Sequence, residues 1–409
     1  MKRSILFLAI CILQSAICNC EDWPQWGGPN RNFKVNAKGL ANTWPDGGPK
    51  KLWSRLLGEG YSAVSVDGGV LYTMYREGTE EVVIALDAAT GKTVWEYRYS
   101  APIPASNALE NGRGPHSTPL VVGDRVFTVG IWDVFNCLDK KTGKLLWSHD
   151  LIQEYKAPRL GRGYGSSPLA YNDTVILPVG AKGGSGVMAF RQKDGSVAWK
   201  NHDFQGGFSS PILMKVDGQE QLVIFMADDI VGLDPNNGNL FWKYPHKTDW
   251  GLNISTPVYE GNLLFCSSAY SGGSRVLELS REGGKTNVKE LWFTNRMRVH
   301  HGNAIMLGGN VYGSSGDFGP APLVAMHLAD GKELWRDRNY SKANFVFADG
   351  KLIILDEDGH LTLAKPGPQG LEVLAKAELL HRNAWTAPTL AGTNLYIRDR
   401  RSIMALDLK

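Results

Sequence analysis

Ala85-Leu86-Asp87-Ala88-Ala89-Thr90-Gly91-Lys92-Thr93-Val94-Trp95 is followed, further along the chain, by Cys137-Leu138-Asp139-Lys140-Lys141-Thr142-Gly143-Lys144-Leu145-Leu146-Trp147. Looser copies run from Ala189 to Trp199 around Asp194-Gly195, from Gly232 to Trp242 around Asn237-Gly238, and from Ala325 to Trp335 around Asp330-Gly331. Each copy reads as the end of one strand, a turn whose glycine takes a positive φ, and a second strand closed by a large aromatic residue. Motif aspartates such as Asp87, Asp139 and Asp234 suit that turn, because a short carboxylate accepts hydrogen bonds from nearby backbone amides. Trp53, Trp95, Trp147, Trp199, Trp242, Trp292 and Trp335 lie 42, 52, 52, 43, 50 and 43 residues apart, the length of one four-stranded unit. Their regular place at the end of an outer strand assigns them to packing between units rather than to a cofactor box.

A second signal precedes each hairpin. Ser117-Thr118-Pro119, Ser166-Ser167-Pro168, Ser209-Ser210-Pro211, Ser255-Thr256-Pro257 and Thr386-Ala387-Pro388 each open an apolar strand, with a turn and another strand behind it. The chain ends on Ile403-Met404-Ala405-Leu406-Asp407, the first half of the hairpin without its tryptophan strand, and Lys51-Leu52-Trp53-Ser54 supplies that strand at the other end. The expected fold is therefore all-β: an eight-bladed β-propeller of four-stranded antiparallel blades, closed by the N-terminal strand pairing with the C-terminal blade, so that no sheet edge is left open. The fifth unit lengthens its turn at Arg281-Glu282-Gly283-Gly284, and the seventh loses its tryptophan where Lys365-Pro366-Gly367-Pro368 stands. If the seventh unit fails, the ring has seven blades.

The expected division is a signal peptide over 1–20, a Trp/Pro/Gly-rich arm over 21–50 and the propeller over 51–409. Met1-Lys2-Arg3 and the apolar run Ser4 to Leu13 form a leader too short to span a bilayer comfortably. Cleavage after Cys18 or Cys20 predicts an exported protein, periplasmic or extracellular, and a lipid on one of those cysteines is the alternative. Nothing after residue 20 reads as a membrane span. The formal charge of +3 falls to +1 once Lys2 and Arg3 leave, which gives no field for nucleic acid. Only Cys137 and Cys266 remain in the body, in the second and fifth units, too far apart round a ring for a disulfide. The expected state is a monomer.

The pattern Ala-x-Asp-x-x-Thr-Gly-x-x-x-Trp, complete at Ala85 to Trp95, resembles the tryptophan-docking motif of the pyrroloquinoline-quinone (PQQ) repeat propellers. The resemblance covers residues 51 to 409, and Asp22-Trp23-Pro24-Gln25-Trp26-Gly27-Gly28 is similar to the start of exported bacterial members. It implies one of two kinds of protein: quinoprotein dehydrogenases, or non-catalytic propellers similar to the BamB-type factor of outer-membrane protein assembly. Within it, Trp23, Trp26 and Trp44 are expected to cover the outside or one face of the ring. A quinoprotein alcohol dehydrogenase would bring an adjacent cysteine pair, a calcium held by acidic and amide side chains, and a catalytic aspartate. No Cys-Cys occurs in the body, and Asp133 and Asp317 are only isolated acids; a sugar-dehydrogenase-like quinoprotein lacks the cysteine requirement.

Function in a propeller sits where loops converge on the channel mouth, so the residues just before each inner strand are the candidates. They are Arg113 and His116, Arg162 and Tyr164, Trp250 and Asn253, Arg298, His300 and His301, and Arg382 and Trp385. Guanidinium, imidazole and aromatic faces at equivalent positions suit an anionic, planar or extended ligand. His300 and His301, if neighbours on a strand, point to opposite faces, which argues against a metal. The expected function is a non-catalytic binding or scaffold protein of the cell envelope, taking an envelope protein, a peptide or an extended polymer, with no catalytic residue and no cofactor. The alternative is a PQQ-dependent oxidoreductase, of the alcohol or sugar dehydrogenase type, carrying PQQ with calcium.

Overall fold

The computed structural model describes residues 22–103 and 112–409, so the leader and its cysteines lie outside the described residues. The strands form eight four-stranded antiparallel sheets. Seven are consecutive in sequence, covering 65–100, 120–150, 169–201, 212–245, 258–294, 305–337 and 344–378; we number them blades 1 to 7. Blade 8 joins the last three strands, 389–407, to Lys50–Leu56. In that pairing Lys51 faces Leu406 and Trp53 faces Ala405, as the half-hairpin at the C-terminus demands. The seventh unit forms a complete blade, and the ring has eight. The first strands of neighbouring blades touch, which places them around the central channel. A single turn of α-helix, Leu151–Tyr155, follows blade 2, capped by Asp150 accepting from the Gln153 amide.

Two sets of bonds tie blade to blade. Near the axis, buried hydroxyls of the Ser/Thr-Pro openings reach across. Thr118 N–H donates to Ser167 Oγ, Ser167 N–H to Ser210 Oγ, and Ser209 Oγ to Ser255 O. Further out, each docking tryptophan lies on the hairpin turn of the next blade. Trp95 Nε1 donates to Lys140 O at 2.9 Å, and its ring covers Gly143, whose φ of +72° and missing Cβ admit it. Trp53, Trp147, Trp199, Trp292 and Trp335 donate in the same way to Ala88, Gln192, Pro235, Leu328 and Gly367. The turn aspartates act as read from sequence: Asp87 and Asp139 each accept from the amide and hydroxyl of the threonine three residues on.

Trp242 departs from this scheme. The long blade 5 hairpin, Gly273–Glu282 with Lys285–Thr294, carries its turn out to Gly283-Gly284, beyond reach of an indole on blade 4. Trp242 instead folds back over Gly232 of its own blade and donates to Gln221 Oε1 at 2.7 Å, while Gln221 Nε2 donates to Thr286 of blade 5 at 2.7 Å. The lost tryptophan of blade 7 also has a reason. Ala375 takes its place, opposite Leu363 at the strand bulge. The next blade has no turn to dock on, because there the two chain ends meet; the incoming chain at Gly48 packs against Ala377 instead.

Of the two expected placements, the outside or one face of the ring, the arm takes the second in part: its first residues enter the channel, and 40–48 cross one face at Asp349, Leu408 and Ala377. Trp23 exchanges both backbone hydrogen bonds with Val66 on the inner strand of blade 1, and Pro24 O accepts from Val121 on blade 2. Arg31, buried, donates to Ser167 O and Pro168 O where blade 3 opens. Trp26 Nε1 donates to Thr256 on blade 5, and Phe33 and Val35 bond to Phe347 on blade 7. Ala41 N–H reaches Leu408 O beyond blade 8.

Candidate functional site

Where the inner strands begin, their preceding loops surround a cavity of about 690 Å³ whose floor is Trp26 of the arm. The channel mouth is therefore a blind bowl. Around one side runs an unbroken arc of rings. His116 stacks on Tyr61 at 5.8 Å and 5°, Tyr61 meets Trp385 at 5.2 Å, and Trp385 meets His301 at 4.8 Å. His301 meets His300 at 4.8 Å, His300 meets Tyr270 at 4.9 Å, and Tyr270 meets Phe318 at 5.3 Å. Across from the arc stand Arg162, Phe208, Leu252 and Ile254.

The acids of the bowl are already matched. Asp317 accepts from Arg298 at 2.9 Å and from the Tyr270 amide at 3.2 Å. Glu357 accepts from Trp385 Nε1 at 3.0 Å and Ser341 Oγ at 2.9 Å, with Lys342 at 3.5 Å. Burial pushes Glu357 upward, and those three partners overcome it and leave the carboxyl below its usual range. Arg162 forms no ion pair among the described residues, and Arg382 meets only Asp358, at 3.6 Å. The imidazoles stay neutral at physiological pH: burial takes His116 down to about 4 and His300 to about 4, the latter helped by Lys342 and Arg162. His301 falls well below its ordinary value, again through burial first and then through His300 and Lys342. Both nitrogens of His301 and Nδ1 of His300 are buried without hydrogen-bond partners among the described residues, while His300 Nε2 meets Tyr270 Oη at 2.7 Å.

Of the candidates read from sequence, the structure brings His116, Arg162, His300, His301, Arg382 and Trp385 together on the wall. Trp250 stands at the rim, 63% exposed, edge-on to Tyr270 at 5.2 Å, beside Phe318, which is 77% exposed. Arg298 is set behind, orienting Asp317. Three candidates belong elsewhere. Tyr164 is buried in the core between blades 2 and 3. Asn253, also buried, donates to the carbonyls of Met226, Ala227 and His246 and accepts from Ser268, which makes it a loop brace. Arg113 lines a separate cavity with Glu59 and Arg76. The two adjacent histidines both face the bowl, because residues 300 and 301 lie in a loop and the alternation of a strand does not apply. Among the described residues no group of three or more His, Cys, Asp or Glu is placed to hold a metal ion.

Several bowl residues are absent from the sequence-based set. Tyr61 and Lys342 precede their inner strands just as His116 does, and that offset could have found them. Tyr270, Phe318 and Glu357 come from the loops between second and third strands, which carry no repeated signal.

A family profile described as outer membrane protein assembly factor BamB matches residues 45–130 and 79–337. The outer membrane protein assembly factor BamB of Yersinia pestis is 22% identical over 338 residues, covering 74% of this chain and 77% of that protein. The crystal structure of BamB from Moraxella catarrhalis superposes with a TM-score of 0.62 at 16% identity, over 87% of this chain and 97% of the other. A europium-containing methanol dehydrogenase superposes with a TM-score of 0.67 at 14% identity, over 94% and 89% of the two chains, a likeness of fold alone. With its repeats, its ring of eight blades and a profile match across more than half its length, this chain belongs to the PQQ-repeat family described as outer membrane protein assembly factor BamB.

Proposed function

We propose that this protein is a non-catalytic binding protein of the cell envelope that holds an extended, acidic segment of another envelope protein across the mouth of its ring. The observation that carries the reading is the blind bowl: an arm across the channel, an aromatic arc, two large exposed rings at Trp250 and Phe318, and Arg162 with no ion pair among the described residues. Exposed aromatic side chains beside an arginine are the side chains that anchor protein interfaces. The family supports a role in assembly rather than chemistry. The leader supports export, with either a free mature terminus or a lipid on Cys18 or Cys20. Among the described residues no helix is long and apolar enough to cross a membrane.

The test is a photo-crosslinking residue in place of Phe318, compared with one in place of Asp124 in the turn at the far end of blade 2, both in intact cells. A discrete envelope protein captured from position 318 and not from 124 is the expected result, and Arg162→Glu with Trp250→Ala should cut the yield by about tenfold. Equal capture from both positions would remove the reading.

The second reading, a PQQ-dependent alcohol or sugar dehydrogenase, draws on the fold shared with methanol dehydrogenase. The donor set does not fit a quinone-bound calcium. Asp317 and Glu357, the carboxylates of the bowl, are each matched by a cation, and Cys137 and Cys266 are buried in different blades. PQQ with calcium should leave melting unchanged and give no dye reduction with alcohols or aldoses; a shift with turnover would reverse the order of the two readings.

A further inference from the structure

Arg76, outside the bowl, is buried without a close ion pair among the described residues, the Glu81 and Glu59 carboxylates acting on it only at longer range. It is the last residue but one of the strand Val70–Glu77, is 6% exposed, and its Nη1 has no hydrogen-bond partner among the described residues. It forms no ion pair among the described residues. Glu81, its cross-strand neighbour, accepts from Tyr99 Oη at 2.6 Å and from the Ile131 amide at 3.1 Å. Glu59, joined to Arg76 through both backbone bonds, gives its Oε1 to Arg400 at 3.0 Å and Arg401 at 3.1 Å.

Arg76 borders a cavity of about 350 Å³ together with Glu59, Gly78, Thr79, Ile103 and Arg113. Arg113 makes no ion pair among the described residues either. Burial holds the Arg76 guanidinium below its usual range; the Glu81 carboxylate opposes this and the nearby Arg113 charge adds to it. Four guanidiniums, of Arg76, Arg113, Arg400 and Arg401, thus gather around the carboxyls of Glu59 and Glu81, and burial pushes Glu81 upward. The short stretches Glu59 to Tyr61 and Gly112 to Arg113 divide this cavity from the bowl, Glu59 and Arg113 lining the one and Tyr61 and Gly112 the other.

We propose that this second cavity is an oxyanion site for a phosphate group, held by the forked guanidiniums of Arg76 and Arg113 with the turn at Gly78-Thr79 beneath. A dianion is drawn by both guanidiniums at once, neither of which has an ion pair among the described residues, and a planar guanidinium binds phosphate through paired hydrogen bonds. The volume exceeds that of the bare ion, so the site admits inorganic phosphate or a phosphomonoester.

Calorimetric titration of the full chain with inorganic phosphate, glycerol phosphate and acetate tests this. Saturable binding of phosphate is expected, with acetate at least about tenfold weaker. Tighter binding of glycerol phosphate than of phosphate identifies an esterified ligand, and the reverse order a free ion. Arg113→Gln, at an exposed position, should weaken phosphate by about tenfold or more, and Arg76→Gln likewise if its melting curve shows a folded chain. Arg382→Gln, in the bowl, should leave phosphate affinity unchanged. No saturable heat with phosphate, equal affinity for acetate, or an unaffected Arg113→Gln would each overturn the proposal.

Discussion

Replacing Gly143 by alanine places a Cβ 2.5 Å from Cε3 and 2.6 Å from Cδ2 of Trp95, closer than carbon atoms approach, at a residue whose φ is +72°. Gly123, in another turn of the same blade, has φ +56° and nothing within 4 Å of its own virtual Cβ. Gly123→Ala therefore costs only the left-handed backbone, about 1–2 kcal/mol. Gly143→Ala costs the same plus the displacement of Trp95, which loses the stacked face and its 2.9 Å bond to Lys140 O, roughly 2–3 kcal/mol more. Urea denaturation of the two variants beside the parent measures the difference. In a Trp95→Leu background, where no indole remains to be displaced, the two alanines should cost the same. If Gly143→Ala is no worse than Gly123→Ala in the parent, the tryptophans do not hold the blades together.

Three other outcomes follow from buried polar groups. Gln221→Leu strands the indole N–H of Trp242 and the Thr286 hydroxyl, at about 1–3 kcal/mol, and combined with Trp242→Phe it should cost less than the two changes added, read by a double-mutant cycle. Asp133 has its Oδ2 buried without a partner, and burial, aided by Asp150, pushes its pKa up to about 8. That lies above the value in an unfolded chain, so its favourable contribution is complete below about pH 4 and is lost as pH rises toward 8. Asp133→Asn should then gain on the order of 2 kcal/mol at pH 7 and flatten urea midpoints between pH 5 and 8; parallel profiles for variant and parent would count against it. Arg31→Met removes the donors to Ser167 O and Pro168 O and should speed hydrogen exchange of residues 22–40 while the blade amides stay protected, at about 2–4 kcal/mol for the docked arm.

The turn and its tryptophan were readable because both are local chemistry repeated at a steady interval, and the orphan strand at Trp53 closed the count. Trp242 keeps its packing place between blades 4 and 5, but its hydrogen bond could not be read from the repeat, because the neighbour's turn is lengthened forty residues downstream at Gly283-Gly284. The loss of tryptophan at Ala375 looked like decay in the sequence; in space it is the only blade junction at which the following sheet is assembled from the two chain ends. The mouth was read less well. Arg162 and Tyr164 are two residues apart, yet one reaches the bowl and the other the core, since loops have no fixed alternation. The floor was out of reach altogether, because nothing in Trp26 itself says that the arm enters the channel.

The joint in blade 8 also imposes an order in time. Each of the seven other sheets uses four consecutive strands and can assemble as the chain emerges, whereas Lys50–Leu56, among the first segments made, has no partner until Ser402–Asp407 exists. Arg398, fully buried at the end of the preceding strand Asn394–Arg398, reaches the carbonyls of Gly60, Ser62 and Met74, so late residues of the same blade satisfy early backbone as well. A nascent molecule without Ser402–Asp407 would keep two bare strand margins and remain open to proteases and to its own kind. Maturation to a durable particle thus waits for that closing strand pair.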